Sequence, residues 1–303
     1  PSGVALRRFL KNPLGLAALA FIAVVALLST TAYLIIPDDS QNANRMNLTF
    51  GTVPPGFQIT GFEISERDGD FSLVSGRDRP ARFIPAQEWK VENNKLLYRP
   101  YLGHGESGPW TKYDLPADEN TADWIEEHRV VKTYWLGTDK YGRDVLSRLI
   151  LGSRISITVG FIAVLISLLV GMTLGALAGY FGGWVDNLIS WLINVVWSIP
   201  TLLLVIAVTL ALGKGYWQVF IAVGLTMWVE VARVVRGQVM ALSQEQFVEA
   251  TRALGFGNFR SIFIHILPNL WAPVIIISAA NFAGAILVES GLSFLGFGAQ
   301  PPV

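Results

Sequence analysis

Few side chains in this chain are arranged for catalysis. His104, His128 and His265 are too scattered to form a metal-ligand set. The chain has no cysteine, which removes disulfides and thiolate metal sites. Gly213-Lys214-Gly215 lacks the first glycine and the serine or threonine of a nucleotide loop. No nucleophile has an identifiable base partner, and no basic cluster is large enough for nucleic acid. One constellation stands out: Glu249-Ala250-Thr251, then Gly255, then Leu267-Pro268, lying between two long apolar runs. Arg233 and Arg236 precede it, and Arg252, Arg260 and His265 lie within it. Its chemistry is recognition of a soluble partner.

The elements that must position these residues are helical. Ser243 with Gln246 three residues on is a capping-box signature, predicting a helix start there. Phe247, Ala250, Ala253 and Leu254 then share one face. Gly255 is placed to stop the helix in the left-handed region. Asn258 is predicted to cap a second helix that Pro268 ends. An amphipathic helix pair of this kind can seat in a groove on another protein. The residues alone leave a second reading open, a solvated hairpin packed only on its own spans.

On either side the chain is membrane material. Charge is absent from residues 12–37, 155–185, 187–213, 215–229 and 261–288. A bilayer core needs about 20 apolar residues as helix. Runs this continuous exclude an alternating barrel. They predict spans over residues 14–36, 156–180, 188–212, 216–235 and 271–294. Arg7, Arg8 and Lys11 place the N-terminal segment, residues 1–13, in the cytoplasm, and the basic loop 237–270 agrees. Residues 37–150 are different: polar, rich in acids, with short alternating stretches at Gly61-Phe62-Glu63-Ile64 and Lys95-Leu96-Leu97-Tyr98. These predict a β-rich extracytoplasmic insert with a turn at Asn93-Asn94 and a helix near 122–128. Residues 151–303 form the core that carries the loop.

Within the spans, Gly171, Gly175, Gly179 and Gly183 recur every four residues, a small-residue seam for close helix approach. The seam serves either packing within one bundle or contact between subunits. Glu289 lies deep in an apolar run, where a charge is costly. It is either a pathway or gate residue or a locally paired charge near the outer interface. Glu230 and Arg233, three apart, are predicted to pair. Arg143 and Asp144 precede the second span as a local ion pair or cap, or as a contact for a delivery protein.

Taken together, Glu249-Ala250, Gly255 and Leu267-Pro268 resemble the EAA loop of ABC-importer permeases. Thr251 stands where the pattern has a second alanine, and His265 where many members have isoleucine. His265-Ile266-Leu267-Pro268-Asn269 resembles the C-type dipeptide/oligopeptide (peptide/nickel) permeases. Three further stretches do so too: Leu136-Gly137-Thr138-Asp139 with Gly142-Arg143-Asp144, Gly179-Tyr180-Phe181-Gly182-Gly183, and residues 292–298. The similarity covers about residues 134–303 and, loosely, the first span, but not the insert. It implies an all-α polytopic membrane protein with the type I importer permease fold. Five spans are visible and a sixth is expected beyond Val303; residues are also expected before Pro1.

The resemblance implies that Glu249, Ala250, Arg252, Gly255, Arg260, His265, Leu267 and Pro268 couple the chain to an ATPase. The implied partners are a second homologous permease subunit forming a heterodimer, two ATP-binding subunits, an extracytoplasmic substrate-binding protein and the lipid bilayer. No cofactor is expected on this chain; ATP and Mg belong to the partner ATPases. The implied role is a non-catalytic, multi-pass permease of the bacterial cytoplasmic membrane, importing short peptides. Peptide-type permeases also include carriers of nickel chelates, sugars and antibiotic-like peptides. The alternative is a mechanotransmitter or sensor whose insert does the work without a substrate path. An ion-coupled carrier is disfavoured, because intramembrane ionisable groups are scarce.

Overall fold

The computed structural model describes residues 9–64, 70–78, 80–92, 95–103, 105–114, 121–213 and 215–298. Arg7, Arg8, Asn93, Asn94, His104 and Lys214 lie outside them. The chain divides into two compact units, Pro1–Arg154 and Ile155–Val303.

In the first unit, α1 (Pro13–Thr30) is an apolar helix whose N-cap, Asn12, accepts the Gly15 N–H through its side chain at 3.2 Å. After a break at Thr31, α2 (Ala32–Ile35) continues for one turn. The guanidinium of Arg154 donates to the last carbonyls of α1, Ser29 at 2.9 Å and Thr30 at 3.1 Å. It also donates to the carbonyls of Leu73 and Val74. A cation at a helix C-terminus is where the helix dipole favours it.

The strands of this unit are β1 (Phe57–Ile64), β2 (Phe71–Ser72), β3 (Gly76–Arg77), β4 (Arg82–Glu92), β5 (Lys95–Gly103), β6 (Glu106–Ser107), β7 (Thr111–Asp114) and, after helix α3 (Thr121–His128), β8 (Arg129–Tyr134). Six of them form one antiparallel sheet in the order β6-β5-β4-β1-β8, with β7 also on β5. Glu92 pairs with Lys95, so β4 and β5 are a tight hairpin. Alternation along β1 supplies a core on each face. Phe57 and Ile59 join Phe50 and Tyr101, while Phe62 and Ile64 join Leu96 and the Trp124 ring of α3. Gly61 is required by close approach: a Cβ there would lie 2.6 Å from the Phe83 ring.

The stretch Leu136–Asp144 ties this unit together. Asp139 accepts the N–H groups of Tyr141 (2.9 Å) and Arg143 (3.0 Å) and pairs with the Arg143 guanidinium at 2.6 Å. Asp144 accepts the Ser147 N–H at 2.8 Å, capping α4 (Val145–Phe181). The local ion pair and the cap therefore both exist, with Asp139 rather than Asp144 as the partner of Arg143.

The second unit begins within α4 and continues with α5 (Gly183–Trp197), α6 (Thr201–Leu212), α7 (Tyr216–Leu242), α8 (Gln246–Ala253), α9 (Asn258–Arg260) and α10 (Trp271–Phe294). Among the described residues, four helical stretches are long and apolar enough to cross a membrane: Pro13–Thr30, Val145–Phe181, Trp217–Leu242 and Asn258–Phe294. The run 188–212, read as a span, is α5 and α6 bent by 95° at a break, which is either one broken span or a re-entrant pair. Pro200 accounts for the break, since proline disfavours helix in the residue before it and lacks an N–H to continue the ladder.

α7 is the central helix of this unit. Its Val219, Phe220 and Val223 pack with Val159 of α4, Val205 of α6 and Ala285 of α10. Farther along, Trp228 and Ala232 meet Ile189 and Ile193 of α5. The glycine seam explains the approach of α4: Cβ atoms added at Gly171, Gly175 and Gly179 would come within 2.7 Å of the carbonyl oxygens of Trp228, Ala232 and Arg236. This part of the seam is packing within one chain. Gly183 does not join it. It starts α5 with a φ of +51° and open space beside it.

Candidate functional site

The polar loop is built as a rigid projection from the end of α7. Ser243 does not cap α8: it ends α7, and its hydroxyl donates to the Met240 carbonyl at 2.9 Å. α7 outlasts its apolar run, so the capping-box residue is consumed by the preceding helix, and Glu245 becomes the N-cap of α8. Glu249 falls in the first turn of α8, where a carboxylate is favoured.

Two faces of α8 do different things. Val248 and Thr251 are buried, Val248 within a cluster containing Val235, Val239, Ile262 and Ile266. Thr251 fits that interior because its hydroxyl donates to the Val248 carbonyl at 2.7 Å. Phe247, Ala250 and Leu254 point away, with Leu254 73% exposed. The apolar face anticipated from the sequence is therefore real, and it is the one left uncovered by this chain.

The helix stop is fully formed. Gly255 has a φ of +77°, its N–H donates to the Arg252 carbonyl at 3.0 Å, and the Phe256 N–H donates to the Thr251 carbonyl at 3.0 Å. These are the paired bonds of a Schellman motif. Phe256 then stacks on the His265 ring, with centroids 5.6 Å apart and planes within 4°. The guanidinium of Arg260 lies 4.5 Å from the Phe256 ring centre.

The next segment departs from expectation twice. Asn258 lies inside α9 and caps nothing; its side-chain oxygen accepts the Tyr180 hydroxyl at 3.2 Å. Pro268 does not end the helix. Ser261–Ile266 is a π-helical stretch, Leu267–Leu270 a 3-10 turn, and α10 follows directly. A proline at the start of a tighter turn loses no hydrogen bond it needed, and the π register takes up the mismatch.

The predicted coupling residues thus gather on one projection. Glu249, Ala250, Arg252, Gly255, Arg260 and Pro268 are exposed, whereas His265 and Leu267 are half-buried. Phe259, Phe263 and Ile264 add exposed apolar surface that the sequence reading did not single out. It also missed that the Gly179–Gly183 motif meets this loop. Besides the Tyr180–Asn258 bond, the Arg252 guanidinium lies 5.2 Å from the Tyr180 ring centre.

Other charges sit elsewhere. Arg236 forms an ion pair with Asp186 of α5, one nitrogen donating at 2.7 Å. Arg233 lies 3.4 Å from the Trp197 ring centre instead of pairing with Glu230. Glu230 lines a small cavity of about 160 Å³ beside the α5–α6 break. Glu289 is buried on the α10 stripe that includes Asn281, Ala285 and Leu292, and it accepts the Ser293 hydroxyl at 2.6 Å.

Long apolar helices, with α7 central to the second unit and a folded polar loop after it, define a polytopic membrane protein. Residues 171–303 match the family of binding-protein-dependent transport system inner membrane components. Residues 1–55 match the N-terminal transmembrane domain of oligopeptide transport permease C. Over these two stretches the chain is similar to oligopeptide-type permeases. It is 43% identical over 170 residues to the dipeptide transport system permease of Alkalihalophilus pseudofirmus, covering 56% of each chain. It is 37% identical over 172 residues to the oligopeptide transport system permease of Bacillus subtilis, covering 57% of this chain and 56% of that one. For the glutathione transport system permease of Pectobacterium atrosepticum the values are 37% over 196 residues, 64% and 65%. The matches therefore span little more than half the length of these relatives. Among solved structures, an inward-facing MetNI methionine ABC transporter chain aligns over 48% of this chain and 73% of its own, with a TM-score of 0.42 and 18% identity.

Proposed function

We propose that this chain is a permease subunit of an ATP-driven importer of short peptides. α8 and the segment after it seat in a cleft of an ATP-binding subunit. A second permease completes the path, and a soluble binding protein delivers substrate on the side of the insert. The N-terminus and the loop face the cytoplasm. Glu289, on the buried stripe of α10, is placed as a pathway or gate residue. The ATPases hold ATP and Mg; this chain supplies the surface that their motion displaces.

The observation that carries the reading is the division of α8. One face is locked into the bundle by Val248 and Thr251, and the other presents Phe247, Ala250 and Leu254. A helix fixed on one side and bare on the other transmits a push into the spans instead of absorbing it. The names of the dipeptide and oligopeptide relatives support the substrate class.

Affinity purification of the tagged subunit in mild detergent tests the assembly. Recovery of two ATPases, a second permease and a binding protein is expected, together with ATP-dependent uptake of radiolabelled dipeptide in vesicles. A subunit that purifies without an ATPase, from membranes that still import the peptide, would refute the docking role.

A further inference from the structure

A cavity of about 620 Å³ opens in the insert, with Asp144 at the start of α4 in its wall. Its wall combines rings, among them Phe50 and Phe83, with charges of both signs. Most of those charges answer one another. Arg45 lies 3.4 Å from Asp39 and 3.5 Å from Glu63, and Lys132 donates to Glu63 at 3.1 Å. Asp38 accepts the backbone N–H groups of Ser40 and Arg45 at 3.1 and 3.2 Å.

Asp144 is the exception. It is only 4% exposed, its Oδ2 caps α4, and its Oδ1 is buried without a hydrogen-bond partner. It forms no ion pair among the described residues. A buried acceptor left bare is costly, and more so when charged. On the same wall the Arg45 Nε is a buried donor, also without a hydrogen-bond partner. The Tyr134 hydroxyl feels the Asp144 carboxylate: burial first, then that charge, hold its pKa high.

Asp144 Oδ1 lacks a donor, and Arg45 Nε lacks an acceptor within hydrogen-bond distance, since Asp38 Oδ1 is 3.9 Å away. A metal ion does not suit, because no cluster of three metal-binding side chains exists among the described residues. Water alone would have to fill a volume equal to about twenty molecules at roughly 30 Å³ each. We propose that this cavity binds the free N-terminal end of a short peptide, its α-ammonium on Asp144, its first carbonyl on Arg45 and its side chain among the rings. That the ligand is a peptide rests on the importer reading; the ammonium-and-amide chemistry rests on the cavity.

Binding to the full chain in nanodiscs, without ATPases, tests this by calorimetry with the dipeptide alanyl-phenylalanine and its N-acetylated form. Saturable binding of the free dipeptide is expected, with at least about tenfold weaker binding after acetylation, a change of about 1.4 kcal/mol. Asp144→Asn should weaken binding by a similar factor while keeping the cap, since asparagine caps as well as aspartate. The acetylated ligand gives the same contrast on the unaltered chain, so a misfolded variant does not decide the matter. Equal affinity for both dipeptides, or no saturable binding, would overturn the proposal. Because no transport is measured, a failed uptake assay would count against the importer reading and leave this result standing.

Discussion

Gly175 and Gly237 show how one residue type serves opposite ends. A Cβ at Gly175 would lie 2.5 Å from the Ala232 carbonyl oxygen and 3.0 Å from Val235 Cβ. Neither atom ends a flexible chain, so α4 and α7 would have to part, at about 1–3 kcal/mol. Gly237 is exposed within α7 and has nothing near that position. Alanine there gains up to about 1 kcal/mol of helix propensity. Gly175→Ala should therefore lower the thermal midpoint in detergent and Gly237→Ala should raise it slightly; unchanged melting of Gly175→Ala would dissolve the seam. Tyr134 makes a pH prediction. Burial and the Asp144 charge push its pKa to about 12, above an unfolded value near 10. The folded state holds the proton more tightly, so the stabilisation is complete below about pH 10 and lost as pH rises toward 12. The loss is of order 3 kcal/mol for two units at about 1.4 kcal/mol per unit. Urea unfolding, followed by tryptophan fluorescence at about pH 9 and about pH 11, should show Tyr134→Phe with a flatter slope than the parent. Parallel slopes would mean the hydroxyl is not held this way.

At the scale of elements, the stop after α8 shapes the surface proposed to couple to an ATPase. Gly255→Val forces a β-branched residue into a φ of +77°, while Gly255→Asn places there a residue that visits this region. Strain of about 1–2 kcal/mol predicts roughly a tenfold loss of ATP-driven uptake and of ATPase recovery for the valine variant. The asparagine variant should retain most of both; equal impairment would show that the backbone conformation is not what matters. The long helices were legible because uncharged runs of this length leave few alternatives, and the strands because residues 61–64 and 95–98 alternate. The helix ends were less so. Ser243 and Asn258 have good capping chemistry, but α7 ran on to consume the first, and the second found the Tyr180 hydroxyl. Pro268 was read as a terminator because single-residue rules do not anticipate a π turn that absorbs the missing bond. The exposed face of α8 was legible from spacing, whereas the cavity in the insert was not. Its walls come from residues far apart in sequence, such as Arg45, Lys132 and Asp144.

At the scale of the whole molecule, the 95° break between α5 and α6 decides the topology. Between the N-terminal segment and the loop lie α1, α4, the bent pair and α7. If the pair crosses once, the count is four and both segments share a side. If it re-enters and leaves by the same face, the count is three and they lie on opposite sides. By the positive-inside rule, Arg7, Arg8 and Lys11 predict a cytoplasmic N-terminal segment, and Arg252 and Arg260 predict the same side for the loop. Only four crossings satisfy both. Length comes close: α5 and α6 are about 22 and 18 Å long and, bent by 95°, reach about 27 Å end to end before residues 198–200 are added, against a hydrocarbon core of about 30 Å. The bent pair is thus predicted to be one broken span, leaving the insert and the loop on opposite sides. The chain has no cysteine of its own, so single cysteines report cleanly. Ser261 lies in the loop but is fully buried; exposed Gln244 is the better label for it, and Val74, 79% exposed, for the insert. In intact cells an impermeant maleimide should modify Val74→Cys and spare Gln244→Cys until the membrane is opened. Labelling of both from outside would make α5 and α6 a re-entrant hairpin and would detach the loop from any cytoplasmic ATPase.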